Sequence, residues 1–203
     1  MEIIRGLINI KGRHKGAVIT IGNFDGVHTG HRTILLEMKR KALELKTKTM
    51  LICFEPQPRE FFDYYNAPAR LTRFKEKVEL LEELGIDIVL CLKFDESFRE
   101  TTAERFIEMI ADDLSATAVY VGDDSRFGQG RTGNFDQLEK AGHRFGFEVF
   151  NFETITHGKK RVSSTRIREC LDLGDFDLAE NLLGHPYFIT GKVIYGRQIG
   201  RTL

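Results

Sequence analysis

Ile19-Thr20-Ile21-Gly22-Asn23-Phe24-Asp25-Gly26-Val27-His28-Thr29-Gly30-His31 is the stretch that decides the fold of this chain. The apolar run from Ala17 to Ile21 predicts a short buried strand. The glycines after it allow the backbone to turn sharply and leave room for a ligand. Apolar residues then recur at mostly helical spacing beyond His31. The stretch therefore predicts a strand, a tight turn and a helix.

His28 and His31 are three residues apart at this predicted strand-to-helix turn. Free backbone N–H groups and the helix dipole attract anions at such a place, so the pair, with Gly30 between them, suits the phosphates of a nucleotide. A glycine-rich turn with two incidental histidines explains an isolated H-x-G-H equally well. A zinc site is disfavoured, because tetrahedral zinc needs three or four ligands and no Cys or further His follows at a suitable spacing.

The composition predicts one domain of ordinary size without a strongly charged surface. The chain has 203 residues, of which 41% are hydrophobic, and Lys+Arg and Asp+Glu number 30 each. No net field therefore recruits nucleic acid or an anionic membrane, and no apolar run approaches the roughly 20 residues of a membrane span. Cys53, Cys91 and Cys170 are too few and too scattered for a disulfide framework or a metal cluster. We expect a cytoplasmic protein.

Strand-like and helix-like runs alternate along the chain, which predicts an α/β fold with a doubly wound parallel sheet. An edge strand is expected within Met1–Ile10, and a further strand over 187–196. The other predicted strands are 17–21, 49–54, 86–92, 117–121 and 147–152. The predicted helices are 72–84, 101–114 and 135–145, with one or two short helices over 171–183.

Three segments should converge at one edge of this sheet, because ligands of such folds bind beyond the carboxyl ends of the strands. They are 28–31, 56–58 and 124–126. The two prolines of the second segment predict irregular backbone. Aromatic residues follow directly at 61–65, and they suit either a cap on the core or a wall for a planar ligand; their composition favours the cap.

A basic run, His157 to Arg168, leads into Ser-Ser-Thr at a predicted helix start. Hydroxyls, backbone N–H groups and guanidinium groups together suit a polyphosphate clamp. The alternative is a plain N-cap by Ser163 or Ser164 with Arg166 in solvent, which the segment alone slightly favours.

Four motifs, taken in order, resemble the bacterial bifunctional riboflavin kinase/FAD synthetase family, specifically its amino-terminal FMN adenylyltransferase module. The motifs are residues 22–31, 54–58, 122–128 and 163–168. The resemblance covers essentially the whole chain and implies a Rossmann-like nucleotidylyltransferase fold. It implies that residues 1–184 form the adenylyltransferase domain and that residues 185–203 are the incomplete start of a riboflavin kinase β domain, a truncated β appendage. Riboflavin kinase activity is therefore expected to be absent from this chain.

The resemblance also implies ATP and FMN as substrates, Mg²⁺ arriving with ATP, and FAD and pyrophosphate as products. No residue is expected to be a dedicated metal ligand, no nucleic acid or membrane is expected as a partner, and the oligomeric state stays open. The residues implied for catalysis are His28, His31, Ser164, Thr165 and Arg168; those for ATP are Gly22, Asn23, Phe24, Asp25, Gly30, Arg161 and Ser163; those for FMN are Phe54, Pro56, Pro58, Asp124, Arg126 and Phe127.

Two alternatives stay open from the sequence. The chain could be another H-x-G-H nucleotidylyltransferase that acts on a pantetheine, nicotinate or polyol phosphate. It could also be a protein that binds flavin or nucleotide without catalysis, although retention of both His28 and His31 disfavours this.

Overall fold

The computed structural model describes residues 1–122 and 124–196. The strands are β1 (Glu2–Arg5), β2 (Val18–Ile21), β3 (Thr49–Glu55), β4 (Ile88–Lys93), β5 (Ala118–Gly122), β6 (Glu148–Phe152), β7 (Thr156–His157) and β8 (Lys160–Arg161). The helices are α1 (Thr29–Glu44), α2 (Pro58–Phe62), α3 (Phe74–Glu83), α4 (Glu96–Arg99), α5 (Ala103–Glu108), α6 (Phe135–Phe145), α7 (Ser164–Asp172) and α8 (Phe176–Leu183). Short 3₁₀ turns cover Leu7–Asn9, Gly12–His14 and Gln129–Arg131, and a π-helical turn, Met109–Asp113, continues α5.

Six parallel strands form the central sheet in the order β1-β4-β3-β2-β5-β6, and β7 and β8 form a separate antiparallel hairpin. Strands covered on both faces need continuous apolar runs, and β3 is buried from Thr49 through Phe54. Helices α5 and α6 pack on one face around Ile52, and α1 and α3 pack on the other around Leu51. The predicted doubly wound α/β fold is confirmed.

Helices α7 and α8 form a smaller unit beside the main sheet. Ile167 of α7 and Leu182 of α8 are fully buried and share an apolar cluster with Leu71, which precedes α3. This cluster holds the amino terminus of α7 beside the β2–α1 loop. None of the helices within the described residues is long and apolar enough to cross a bilayer.

Two of the local predictions are wrong. Pro58 does not exclude regular structure but begins α2, where its missing N–H has no helical partner to lose. The predicted strand over 187–196 is absent from the part of it that the structure describes. A strand needs a neighbouring strand for its backbone groups, whereas here the Thr190 N–H and hydroxyl donate to the Glu76 carboxylate, at 2.8 and 2.7 Å. Residues 197–203 of the predicted appendage lie outside the described residues.

Candidate active site

Two adjoining cavities open at the carboxyl edge of the sheet. The first, the polar cavity, has a volume of about 380 Å³ and is lined by the loop after β2, the starts of α1 and α7, and the ends of β5 and β6. The second, the aromatic cavity, has a volume of about 750 Å³ and lies between the ends of β2, β3, β4 and β5 and helix α5. Strand β2 has β3 on one side and β5 on the other, so the cavities lie where the chain order reverses direction.

The β2–α1 loop needs glycine at Gly26, and the first turn of α1 is tightly packed at Gly30. Gly26 has a φ of +81°, and a Cβ there would lie 2.8 Å from Leu71 Cδ1. Gly30 has an ordinary helical backbone, but a Cβ there would lie 3.3 Å from the His28 ring. Phe24 and Val27 also have positive φ, at 47° and 41°. Because non-glycine residues rarely adopt such angles, the surrounding contacts must hold this loop in place.

His28 and His31 form a stacked pair at the start of α1. Their ring centroids are 3.6 Å apart with an interplanar angle of 14°. His28 is the N-cap residue, and its Nδ1 accepts a hydrogen bond from the His31 backbone N–H at 3.3 Å. A neutral His28 therefore carries its proton on Nε2, which is free to donate.

Burial keeps both rings neutral at neutral pH. Desolvation is the main cause that lowers the pKa of His28 to about 4, and the charge of Arg161 acts in the same direction. Desolvation, followed by the charges of His28 and Lys77, lowers the pKa of His31 well below its ordinary value. The pair thus offers N–H donors rather than full charges to an anion.

Asp25 connects the loop to two distant parts of the chain. Its carboxylate accepts the backbone N–H groups of Leu71 and Thr72, at 3.0 and 3.1 Å, and forms an ion pair with Arg168. Its backbone oxygen accepts the Ser164 hydroxyl at 3.0 Å. With only 4% of its surface exposed, Asp25 holds the site together from inside. The structure therefore gives the Asp25 carboxylate an internal supporting role, and the residue also lines the polar cavity, so its predicted contact with nucleotide stays a prediction.

The amino terminus of α7 provides a second set of donors beside the histidines. Ser163 is its N-cap residue and accepts the Arg166 N–H at 3.2 Å, and Thr165 lines the polar cavity in the first turn. Arg161, at the end of the β7–β8 hairpin, pairs with Asp124 at 2.9 Å. The N-termini of α1 and α7 both border the polar cavity, which favours anion binding there.

Lys77 on α3 supports the β2–α1 loop from the protein interior. Its side chain is fully buried, and its Nζ donates to the Asn23 backbone oxygen at 2.9 Å and lies 4.0 Å from Glu55 Oε1. Three buried polar atoms around the polar cavity have no hydrogen-bond partner among the described residues: Asn23 Oδ1, His31 Nδ1 and Gln57 Nε2. Unpaired buried groups are costly, so their presence together indicates a ligand that completes them.

Phenylalanine side chains dominate the aromatic cavity. Phe106 and Phe127 stack with ring centroids 5.0 Å apart, and Phe94 lies edge-on to Phe54 at 5.8 Å. A cavity of this size and lining suits a flat aromatic molecule. The six phenylalanines that line it are Phe54, Phe62, Phe94, Phe98, Phe106 and Phe127.

The sequence was compared with family models and with known proteins. A family model described as FAD synthetase matches residues 10–166. The chain belongs to the FAD synthetase family. The match includes the β2–α1 loop, the whole lining of the aromatic cavity and the start of α7, and of the described residues that line the polar cavity only Arg168 lies beyond it.

Curated relatives of this chain carry the name bifunctional riboflavin kinase/FMN adenylyltransferase. The Escherichia coli K12 protein is 45% identical over 205 residues, covering 100% of this chain and 66% of the relative. The Haemophilus influenzae protein is 47% identical over 204 residues, with the same coverage. The chain thus spans just under two thirds of the length of these relatives. A solved structure described as a macrolide-efflux protein from Streptococcus pneumoniae has a TM-score of 0.78 at 23% identity, over 92% of this chain and 63% of that one, which supports the fold alone.

The structure groups the predicted site residues into the two cavities. All twelve residues predicted for catalysis and ATP line the polar cavity, although Asp25 and Arg168 also pair with each other. Four of the predicted FMN residues line the aromatic cavity: Phe54, Pro58, Arg126 and Phe127. Asp124 lies instead in the polar cavity beside Arg161, and Pro56 lines neither cavity. The aromatic residues at 61–65 have different surroundings: Phe62 lines the aromatic cavity, whereas Tyr65 is 94% exposed.

Several residues at the site have no role predicted from the sequence, although Gln57 lies within the 54–58 motif. Gln57 and Arg59 lie in the segment after β3, and Phe94 and Phe98 follow β4. The rule that ligands bind beyond strand ends could have pointed to these four. Lys77 could not have been found in this way, because a lysine on an amphipathic helix normally faces solvent. The described residues contain no group of three or more His, Cys, Asp or Glu side chains suited to a metal ion.

Proposed function

We propose that this domain is an FMN adenylyltransferase, which transfers AMP from ATP to the phosphate of FMN and releases FAD and pyrophosphate. The observation that carries the proposal is the junction of a polar cavity bordered by two helix N-termini with a cavity lined by six phenylalanines. The polar cavity suits the triphosphate of ATP, and the aromatic cavity suits the flavin ring.

The reaction needs alignment and charge stabilisation more than proton transfer. A phosphate oxygen of FMN forms a bond to the α-phosphorus of ATP, while the bond from that phosphorus to the oxygen bridging to the β-phosphorus breaks. The electron pair leaves with pyrophosphate. Because the FMN phosphate is already anionic at neutral pH, no general base is required, and the protein must hold the two phosphates in line.

In this proposal His28 and His31 donate N–H groups to the ATP phosphates as negative charge develops. The histidine pair is held rigidly by stacking and by the His28 N-cap contact, and a fixed donor stabilises developing charge without reorganisation. Ser163 and Thr165 present the start of α7 to the leaving phosphates, and Arg161 adds a guanidinium group. Mg²⁺ enters as part of the substrate, bound to ATP, and offsets charge on the triphosphate.

The large apolar surface of the aromatic cavity favours FMN over acceptors without an extended ring system. A pantetheine, nicotinate or polyol phosphate has little or no extended flat surface and would leave much of the phenylalanine lining uncovered. ATP and FMN are the small-molecule partners that the proposal needs. We also place the reaction in the cytoplasm, in keeping with three buried and unpaired cysteines. The riboflavin kinase activity in the names of the relatives is not part of this proposal.

One assay tests the proposal and its alternatives together. The chain is incubated with ATP and Mg²⁺ plus FMN, pantetheine phosphate, nicotinate mononucleotide or a polyol phosphate in separate reactions, and pyrophosphate and the adenylylated product are measured. We expect pyrophosphate and FAD with FMN, and at most trace product with the others. Faster turnover of another acceptor, or binding of FMN and ATP without any product, would replace the proposed function with the corresponding alternative.

A further inference from the structure

Among the described residues, four line both cavities and mark the place where they join: Ile21, Gly22, Asn23 and Arg59. The first three belong to the end of β2 and the loop after it, and Arg59 approaches from the first turn of α2. Arg59 is the charged member of this set. The junction therefore has a cation on one side and a glycine-containing loop on the other.

The Arg59 guanidinium forms no ion pair or hydrogen bond with another described side chain or backbone group. Nearby arginines differ in this respect. Arg70 pairs with both Glu55 and Glu60, and Arg161 pairs with Asp124. The planar fork of an arginine matches the oxygens of a phosphate, so an unpaired guanidinium at the junction is available for one.

Gln57, two residues before Arg59, provides an independent observation. Its side chain is 8% exposed, it lines the polar cavity, and its Nε2 is buried without a hydrogen-bond partner in the described part of the chain. A buried amide donor without an acceptor is costly. An anion at the edge of the polar cavity, beside Arg59, would supply the missing acceptor.

The proposed reaction itself requires a phosphate at this place. The flavin ring lies in the aromatic cavity and ATP in the polar cavity, and the new bond joins the phosphate of the acceptor to the α-phosphate of ATP. These two phosphates can meet only where the cavities join. The acceptor phosphate must therefore lie beside the residues shared by both cavities.

We propose that Arg59 and Gln57 form the binding subsite for the phosphate of the acceptor, with the Arg59 guanidinium and the Gln57 amide donating to its oxygens. This inference rests on the proposed function for its choice of acceptor. The subsite makes the protein select a phosphorylated flavin over riboflavin, which has the same ring without the phosphate. It also aims a phosphate oxygen at the polar cavity, while ATP binding depends on other residues.

Binding of the two flavins separates this role from a structural one. Quenching of flavin fluorescence measures the affinities of FMN and riboflavin for the wild-type chain and for the Arg59→Gln, Gln57→Met and Arg40→Gln variants. Arg40 is the matched control, because it is an exposed arginine on α1 that pairs with Glu37 away from both cavities. Thermal melting of each variant accompanies the titrations.

We expect Arg59→Gln to weaken FMN binding by roughly tenfold or more, since it removes a charge-assisted contact, and to leave riboflavin and ATP affinities within about twofold. Gln57→Met should weaken FMN binding by a smaller factor, about threefold to tenfold, again without affecting riboflavin. Arg40→Gln should change none of these affinities.

Three outcomes would overturn the subsite. The first is an Arg59→Gln variant whose affinities for FMN and riboflavin fall by the same factor. The second is a variant that loses affinity for ATP alone. The third is a wild-type chain that binds FMN no more tightly than riboflavin. Failure of the proposed function gives a different result. If the wild-type chain makes no FAD but its preference for FMN disappears in Arg59→Gln, the adenylyl transfer is refuted while the subsite stands.

Discussion

The polar cavity and the aromatic cavity adjoin at one edge of the sheet, yet different forces build them. The polar cavity depends on backbone N–H donors. Its β2–α1 loop is held by buried polar contacts, which join Asp25 to Leu71 and Arg168, and Lys77 to Asn23. The aromatic cavity depends on side-chain shape, with Phe106 and Phe127 stacked in the apolar core. Phosphates are bound by dipoles that must be fixed in direction, whereas a flat ring needs mainly complementary apolar surface.

Charge is also used differently in the two cavities. In the polar cavity Arg161 and Arg168 are already paired with Asp124 and Asp25, so much of its attraction for anions comes from N–H groups at the starts of α1 and α7. Arg59 at the junction has no such partner within the described residues. We therefore expect substitutions in the polar cavity to lower stability and turnover, and substitutions in the aromatic cavity to lower the affinity for flavin.

The largest expected effect comes from Asp25→Asn. Replacing this carboxylate leaves Arg168 without its counter-charge in a mostly buried site, and we expect the free energy of unfolding to fall by about 3–5 kcal/mol. Urea denaturation measures this change. Asp113→Asn is the matched control, because Asp113 pairs with Arg105 at the surface and should cost at most about 1 kcal/mol. Normal stability with lost ATP binding would make Asp25 a direct ligand.

Next in size is the loss of turnover from the histidine pair. His28→Asn keeps an N-cap acceptor, and His31→Gln keeps most of the buried volume, so both variants should fold. Each removes the fixed imidazole N–H and leaves a shorter or more flexible amide in its place, so kcat for FAD formation should fall by about two to three decades, or roughly 2–4 kcal/mol. His143→Gln, at an exposed position on α6, serves as the control. FAD formation near the wild-type rate in both variants would contradict the assigned roles.

The third effect is a loss of stability in acid. Because the pKa of His28 is lowered to about 4 in the folded protein, the unfolded chain binds more protons below its ordinary pKa of 6.5, and stability falls as pH decreases from 6.5 toward 4. Between pH 7 and pH 5 His28 alone should account for about 2 kcal/mol.

Urea denaturation at these two pH values measures the effect, and His31, whose pKa is also lowered, adds to it. The difference should shrink in the double variant His28→Asn with His31→Gln, and persist in His143→Gln. An equal drop in the double variant would assign the acid sensitivity to other groups.

The smallest expected effect concerns the rim of the aromatic cavity. Phe62 is 63% exposed in the empty protein, so Phe62→Ala should leave the melting temperature nearly unchanged. Losing its contact with the ring should weaken FMN and riboflavin alike by about fivefold, or roughly 1 kcal/mol, with no change for ATP. Tyr65→Ala, at a neighbouring residue that is 94% exposed, is the control. A loss restricted to FMN would place Phe62 at the phosphate instead of the ring.

Local pattern was a good guide to the elements of this fold. The helix predicted over 135–145 has the bounds of α6, Phe135–Phe145, and the strands β2 to β6 lie within two residues of their predicted ends. Prediction from local pattern failed where the structure of a segment depends on a distant hydrogen-bond partner. The segment 187–196, predicted as a strand with a glycine break, is not a strand, and Glu76 of α3 accepts the hydrogen bonds of Thr190.

The sequence by itself determined where the phosphate-binding segments lie, because glycines, N-cap residues and strand ends act on their close neighbours along the chain. Only the tertiary structure decided how each side chain is used. Asp25 and Arg168 are 143 residues apart, and folding pairs them in the lining of the polar cavity, where the pair supports the β2–α1 loop. Arg59 has no distinctive pattern and Gln57 has no predicted role within the 54–58 motif; they become candidates because folding leaves their donors without partners among the described residues, Arg59 where the two cavities meet and Gln57 in the polar cavity. Whether a polar group is satisfied depends on contacts that long loops bring together, and no short stretch of sequence contains that information.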